Sequence, residues 1–198
     1  MGAMVLVRQI TTDDWELMRD VRLAALADAP SAFGSSYARE ARFTEEQWRG
    51  RINERSVTFF AHDDSAGPAA AASAALADAE PAGKGPANQG PATGPAGTGP
   101  DRALPAGLAG VYVEDGEADL VSMWVRPSAR RLGVGEALVE AAAAWARDHG
   151  YQALFLWVTE SNMPARRLYE QLGFTLTGES QPLPSDPALP ELRMSRAL

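Results

Sequence analysis

The sequence contains no cysteine. That absence excludes disulfide bonds, thiolate metal sites and a cysteine nucleophile. It also lacks an apolar run long enough to span a bilayer, which predicts no membrane-embedded element and no membrane partner. The N-terminus has no basic region followed by an apolar signal core, so the expectation is a soluble, cytoplasmic protein. Positive charge is scarce, because 18 Lys and Arg stand against 26 Asp and Glu, for a net charge of −8. Nucleic-acid binding needs a broad basic face, and this balance argues against it. An acidic surface favours a cationic partner, although it also serves solubility alone. His62 and His149 stand apart from other ligand-type residues, so no metal site is expected.

What is present suits one globular domain. At 198 residues, with 45% hydrophobic and 22% charged content, the chain can bury a sizeable core. Val5 to Ile10 reads as a first strand. Thr11 and Asp14 have capping-box spacing before a helix whose apolar face is Trp15, Met18, Val21/Leu23 and Leu26, ending before Pro30. Residues 31–43 read as irregular. Thr44 to Gln47 is a second capping box, opening a helix through Trp48 and Ile52, and Val57 to Ala61 is a strand. Leu108 to Glu114 and Asp119 to Val125 flank the hairpin signal Asp115-Gly116. Ala153 to Val158 is a continuous apolar run, as expected of a strand buried on both faces. A helix over Asn162 to Leu172 ends at Gly173, and Phe174 to Thr177 starts another strand. Gln181 to Pro190 reads as a proline-rich connection, and Leu192 to Ser195 as a last edge strand.

Residues 63 to about 106 differ in composition. Ala69 to Ala79 is nearly all alanine, and Pro81 to Pro100 holds five prolines and six glycines, a density that cannot support a ladder or a core. The expectation is a flexible insertion between the second and third strands, cheap in stability because closure entropy grows slowly with length. A partner-binding or lid segment is the alternative.

The chain turns on Met123-Trp124-Val125-Arg126-Pro127-Ser128-Ala129-Arg130-Arg131-Leu132-Gly133-Val134-Gly135-Glu136. This reads as a strand ended by Pro127, a basic glycine-bearing turn and a helix start. Leu138, Ala141, Ala142, Trp145 and Ala146 then recur at helical spacing, and Gly150 closes the helix, with Arg147 and His149 in its last turn. Peptide N–H groups at a helix start have no internal partner and carry partial positive charge. Gly133 and Gly135 would let a phosphate approach the backbone, and Arg130 and Arg131 add donors. No Gly-Lys-Ser/Thr follows, so this is not a P-loop, and Leu138 spoils a dinucleotide fingerprint.

The turn matches Arg/Gln-x-x-Gly-x-Gly/Ala after a strand ending in Val-x-Pro. It resembles the acetyl-CoA motif of the GNAT N-acetyltransferase superfamily. Asn162-Met163-Pro164-Ala165-Arg166-Arg167-Leu168-Tyr169-Glu170-Gln171-Leu172-Gly173-Phe174 resembles the same superfamily's ending, Asn, Ala, then Leu-Tyr-Glu-x-Leu-Gly-Phe. Arg131 stands where the family usually has glycine. The resemblance implies an α/β (α+β) fold, one GNAT-type domain with a central mixed, mostly antiparallel twisted sheet flanked by helices. It implies acetyl transfer from acetyl-CoA, a co-substrate, to a primary amine by direct attack in a ternary complex.

It also implies site residues. Tyr169 is the candidate general acid, since a phenol can protonate a leaving thiolate. Asp119 is the candidate base, with Glu117 the weaker alternative. The backbone of Met123, Trp124 and Val125 would pair with pantetheine as an added strand. Arg130, Arg131, Leu132, Gly133, Val134, Gly135 and Glu136 form the phosphate turn. Asn162 is a CoA contact, a helix N-cap, or both. Phe33, Ser35, Tyr37 and Glu40 are candidates for acceptor contact, with packing beneath a loop the favoured alternative for Phe33 and Tyr37. Trp124, Trp145 and Trp157 read as core residues. Dimers are frequent in the family, which leaves a homodimer open, with the last strand as a contact. Two other readings stand beside the enzyme. One is a catalytically weak acyl-CoA-binding or sensing module. The other is an interaction protein acting through the insertion.

Overall fold

The computed structural model describes residues 5–53, 55–63 and 104–198. The insertion expected at about 63–106 therefore lies almost wholly outside the described residues. At its borders the chain is paired, since the Ala106 N–H donates to the Ala61 carbonyl at 2.7 Å.

Among the described residues seven strands form one sheet: β1 (Val5–Gln9), β2 (Ser56–Asp63), β3 (Gly107–Glu114), β4 (Glu117–Val125), β5 (Ala153–Thr159), β6 (Thr175–Leu183) and β7 (Asp186–Ala197). Their order is β1-β2-β3-β4-β5-β7-β6, and every neighbouring pair is antiparallel except β4 and β5. The helices are α1 (Trp15–Asp28), α2 (Tyr37–Glu40), α3 (Glu45–Arg49), α4 (Val134–Asp148) and α5 (Met163–Gln171). The mixed, mostly antiparallel sheet with flanking helices is the α/β arrangement expected. None of the described helices is long and apolar enough to cross a membrane.

Local chemistry sets the helix ends. The Thr11 N–H donates to the Asp14 carboxylate at 3.0 Å ahead of α1. At α3, the Gln47 N–H donates to the Thr44 hydroxyl at 3.3 Å and the Thr44 N–H to the Gln47 amide oxygen at 2.9 Å. These bonds satisfy donors that a helix start leaves without partners. Within 31–43, expected to be irregular, α2 forms because the Ser36 hydroxyl accepts from the Arg39 N–H at 3.3 Å.

The sheet separates two cores. On one face α4 packs Leu138, Val139, Ala142, Ala143 and Ala146 against Val57, Phe59, Val111, Leu120, Leu154 and Leu156. On the other, α1 and α3 pack Met18, Val21, Leu26 and Trp48 against Phe60, Leu108 and Trp124.

Three expectations need correction. Ala153 to Val158 is not buried on both faces. Leu154, Leu156 and Val158 are buried while Phe155 and Trp157 are half-buried on the opposite face. There the Arg193 guanidinium lies 4.6 Å from the Phe155 ring centre. Gln181 to Pro190 is not a connection but the heart of a β6–β7 hairpin, with Pro182 opposite Pro190. The prolines are tolerated because β5 ends opposite Glu191, so among the described strands the preceding part of β7 pairs with β6 alone, and Pro190 needs only its carbonyl, which accepts from the Glu160 N–H at 2.8 Å. Leu192 to Ser195 is consequently not an edge, since β7 lies between β5 and β6 and β6 forms the edge.

Candidate active site

The site begins where two strands part. β4 and β5 pair only over Ala118–Leu120 against Leu154–Leu156, although β4 continues to Val125 and β5 to Thr159. Beyond Leu120 the ladder has a gap. On its other side β4 stays on β3, with Leu108 opposite Trp124 and Gly107 opposite Val125. An extra residue is absorbed between these pairs and Gly110–Val121, and Ser122 takes φ 58° to accommodate it. A bulge of this kind bends a strand and re-aims its side chains. Met123, Trp124 and Val125, expected to offer backbone to a pantetheine chain, are thus at the gap.

The basic turn follows directly. Gly133 takes φ 83°, and a Cβ built there would meet no atom within 4 Å. Its face is open to a ligand. Gly135 differs: a Cβ there would lie 3.0 Å from Leu168 and 3.4 Å from Met123. Its missing side chain lets α4, α5 and β4 pack closely, so the space a Cβ would take is filled by protein, while its N–H remains at the helix start. The first α4 bond runs from the Ala137 N–H to the Gly133 carbonyl at 3.0 Å. The N–H groups from Leu132 to Glu136 have no acceptor among the described residues. Val134 is buried, and Leu132 and Glu136 are exposed. Arg131 sits at φ 65°, a left-handed conformation that glycine adopts without strain. The usual family glycine at this position has a backbone reason. Arg130 is committed elsewhere, since it pairs with Asp28 and its Nε donates to the Val125 carbonyl at 3.1 Å. Asp28 also accepts from the Trp124 indole at 2.9 Å, tying the end of α1 to the end of β4. Among the described residues Arg131 has no such partner, and its exposed side chain is the one of the two arginines left for an anion.

α5 closes the third side. Asn162 caps it, its side-chain oxygen accepting from the Ala165 N–H at 3.3 Å, so the capping role is real whatever else the residue does. Tyr169 is 6% exposed, packed edge-on against Phe174 at 5.7 Å between ring centres. Burial pushes its phenol well above the ordinary tyrosine value, so it stays protonated at neutral pH.

Asp119 stands at the root of the gap, opposite Tyr112 on β3 and Phe155 on β5. It is half-buried, and its Oδ1 has no hydrogen-bond partner among the described residues. Burial raises its pKa, Glu117 and Glu114 add to that, and Arg193 opposes it. Glu117 is exposed and paired with Arg193, so it is occupied as a base candidate.

The four acceptor candidates separate. Phe33 is buried, with the Arg22 guanidinium 4.5 Å from its ring centre. Tyr37 is exposed and Ser35 half-buried. Glu40, at 1% exposure, accepts from Arg22 at 3.0 and 2.9 Å. Burial pushes its carboxyl up, but Arg22 and Arg51 outweigh that and hold it below the usual carboxylate range. Glu40 and Phe33 are therefore parts of the wall behind the site. The loop that carries them is pinned from across the gap, by Thr159 Oγ1 donating to the Ser31 carbonyl at 2.8 Å and Ser185 Oγ donating to the Phe33 carbonyl at 2.6 Å. Sequence reasoning missed Arg22 and Ser122, which are joined by a 3.1 Å hydrogen bond from Arg22 Nη1 to Ser122 Oγ. The available signal was an arginine four residues after Met18, on the apolar stripe of α1. No group of three or more metal-ligand side chains gathers among the described residues.

The model of the acetyltransferase (GNAT) family matches residues 23–174. The chain belongs to that family, a family of acyltransferases. A mycothiol acetyltransferase of Thermomonospora curvata is 53% identical over 51 residues, covering 26% of this chain and 17% of that protein. The chain thus spans under a fifth of the length of this relative. A GNAT acetyltransferase of Streptococcus pneumoniae superposes with a TM-score of 0.64 at 17% identity, covering 98% of this chain and 100% of that one. Spermidine N-acetyltransferase of Vibrio cholerae, solved with CoA and spermine, superposes with a TM-score of 0.63 at 12% identity, covering 98% and 95%. These likenesses show the fold. In this GNAT chain the residues fit an acyl-CoA: a strand gap that admits an extended chain, free N–H groups beyond it, and the open face of Gly133.

Proposed function

We propose that the protein is an N-acetyltransferase that moves an acetyl group from acetyl-CoA to a primary amine by direct attack in a ternary complex. The observation that carries this reading is the gap between β4 and β5, bordered by the phosphate turn on one side and by α5 on the other. Acetyl-CoA would supply an activated acyl group as its thioester. The amide groups of Met123 to Val125 would hold the extended pantetheine, and N–H groups of Leu132 to Glu136 with Arg131 its phosphates. Asn162 would contact the same ligand through its amide N–H, its oxygen being used for the cap.

The proton inventory assigns two side chains. The amine nitrogen forms a bond to the acyl carbon as the carbon–sulfur bond breaks. Asp119 takes the amine proton, directly or through one water, and Tyr169 gives a proton to the departing sulfur. A raised Asp119 pKa makes it a better base, and its partnerless Oδ1 has room for that proton. The burial that keeps the Tyr169 proton in place would also make a nearby thiolate more basic, which favours the transfer.

The test is acetyl-CoA calorimetry run beside a free-thiol release assay over a panel of amines. Binding with turnover is the expected result. Tyr169→Phe should lower kcat by about a hundredfold or more with little change in acetyl-CoA affinity. An unchanged kcat would remove Tyr169 from the reaction. Binding without turnover of any amine would favour a sensing module instead.

A further inference from the structure

A cavity of about 300 Å³ opens between α1, β2, β3 and the β4 bulge. Its polar wall is Arg51, Asn53, Ser56, Thr58, Tyr112 and Ser122. Two observations connect it to the reaction site. Ser122 belongs to the bulge at the gap and takes the Arg22 hydrogen bond. Val121, which also lines the cavity, lies two residues from Asp119 on the same face of β4, about 7 Å along the strand. An acceptor seated here could therefore present its nitrogen to Asp119.

The charge of the cavity is unexpected in a chain of net charge −8. Arg22 and Arg39 lie close enough to Arg51 to act on its charge, and Glu40 is the carboxylate that opposes them there. Glu40 is already engaged by Arg22 through both oxygens. Arg51 reaches it only at 3.5 Å, and its side chain remains 30% exposed. Arg51 lines the cavity with its guanidinium beside the Phe43 and Trp48 rings, and among the described residues Glu40 is its one carboxylate partner, in a local surplus of positive charge. Such a fork fits a carboxylate with two parallel hydrogen bonds.

We infer that the acceptor is a small amine that also carries a carboxylate, an amino acid or short peptide, whose carboxylate docks on Arg51 while its nitrogen lies toward Asp119. This rests on the acetyltransferase reading and names its substrate class. The site would be matched to a zwitterion, cation toward Asp119 and anion toward Arg51. Local charge overrides the weak preference for simple cations that the overall acidity suggests.

The test compares free-thiol release by the full chain with acetyl-CoA and three groups of acceptors: amino acids, their carboxamides, and spermidine. The expected result is a kcat/KM for the acids at least about tenfold above their carboxamides, the size of a lost charged hydrogen bond. Arg51→Gln should raise KM for the acids about tenfold or more with little change in kcat, and so erase the preference, while Arg51→Lys should restore part of it. Melting temperatures of both variants separate this effect from misfolding. Binding is also read without turnover, by titrating N-acetyl amino acids and their amides into the CoA-saturated protein. Tighter binding of the acids supports the proposal even if no tested amine is turned over. Equal binding, no binding, or preferred turnover of carboxamides or spermidine overturns it and leaves the acetyltransferase reading standing. Failure of acetyl-CoA itself to bind overturns both.

Discussion

The two faces of the sheet are built from different materials. Under α4 the core is mainly aliphatic, with three buried alanines of the helix set against valines and leucines of β3, β4 and β5. Under α1 it is richer in aromatic rings, Phe33, Trp48, Phe60 and Trp124 among aliphatic residues, and it borders the Arg22–Glu40 ion pair with a Ser122 hydroxyl at its end. Aliphatic packing is non-directional and tolerates small shifts. A buried ion pair is different: desolvation opposes it, and only good geometry repays that cost. The α1 face is therefore committed to one arrangement of α1, α2 and the β4 bulge. That face borders the proposed acceptor cavity, while on the α4 face lie the start of α4 with its glycine turn and the buried Tyr169.

Substitutions can break this contrast at several strengths. Glu40→Ala has the largest expected effect, about 3–5 kcal/mol of stability by urea unfolding, because it leaves the Arg22 charge buried without its carboxylate. The pair also predicts a pH dependence. Glu40 has a folded pKa below its unfolded value, so its contribution is present above the unfolded carboxylate value and is lost as pH falls through the lower folded one. Acid unfolding of the native chain should show this loss below about pH 4, and Glu40→Ala should lack it. Leu138→Ala, on the aliphatic side, should cost about 2–5 kcal/mol through a lost contact and a cavity. It should leave kcat/KM unchanged wherever the variant is folded. A change in amine preference in Leu138→Ala would end the idea that the packing under the middle of α4 is scaffold.

Asp119→Asn addresses the gap between the two halves of the sheet. Wild-type activity should fall as pH drops through the raised Asp119 pKa, because the protonated form is no base. The variant should lose about a hundredfold in kcat and lose that acidic limb with it. An unaltered pH–rate profile would exclude Asp119. The smallest effect is expected at Arg131→Gly, where relief of the left-handed backbone should add up to about 1 kcal/mol of stability. The same change should weaken acetyl-CoA binding by removing a cation, so the two readouts should move in opposite directions.

Much of the fold was legible in local pattern. The capping boxes at Thr11 and Thr44, the Asp115-Gly116 hairpin and the α4 stripe follow from spacing, and each is present. The α5 start was legible too, since Asn162 with Pro164 behind it is a capping sequence. The β6–β7 hairpin was not. Four prolines between Gln181 and Pro190 erase the strand pattern, and they are harmless only because of which neighbours those segments have. β5 misled in the opposite direction. Six apolar residues in a row suggested two covered faces, yet Phe155 and Trp157 meet the Arg193 guanidinium instead of a helix.

The site divides along the same line. The glycine turn and the Asn162 cap were readable because a turn into a helix and a helix start are local structures, written in adjacent residues. Sequence order alone also determined the family, through two motifs in fixed succession. Only the tertiary structure decided that Gly133 faces open space while Gly135 faces Leu168. Only it could show that Arg130 is paired with Asp28, or that Glu40 belongs to a buried ion pair with Arg22. It likewise decided the parting of β4 from β5 and the charge surplus at Arg51. These properties depend on partners far apart in the chain, such as Arg22 with Ser122, and no local spacing records which distant residues share a face.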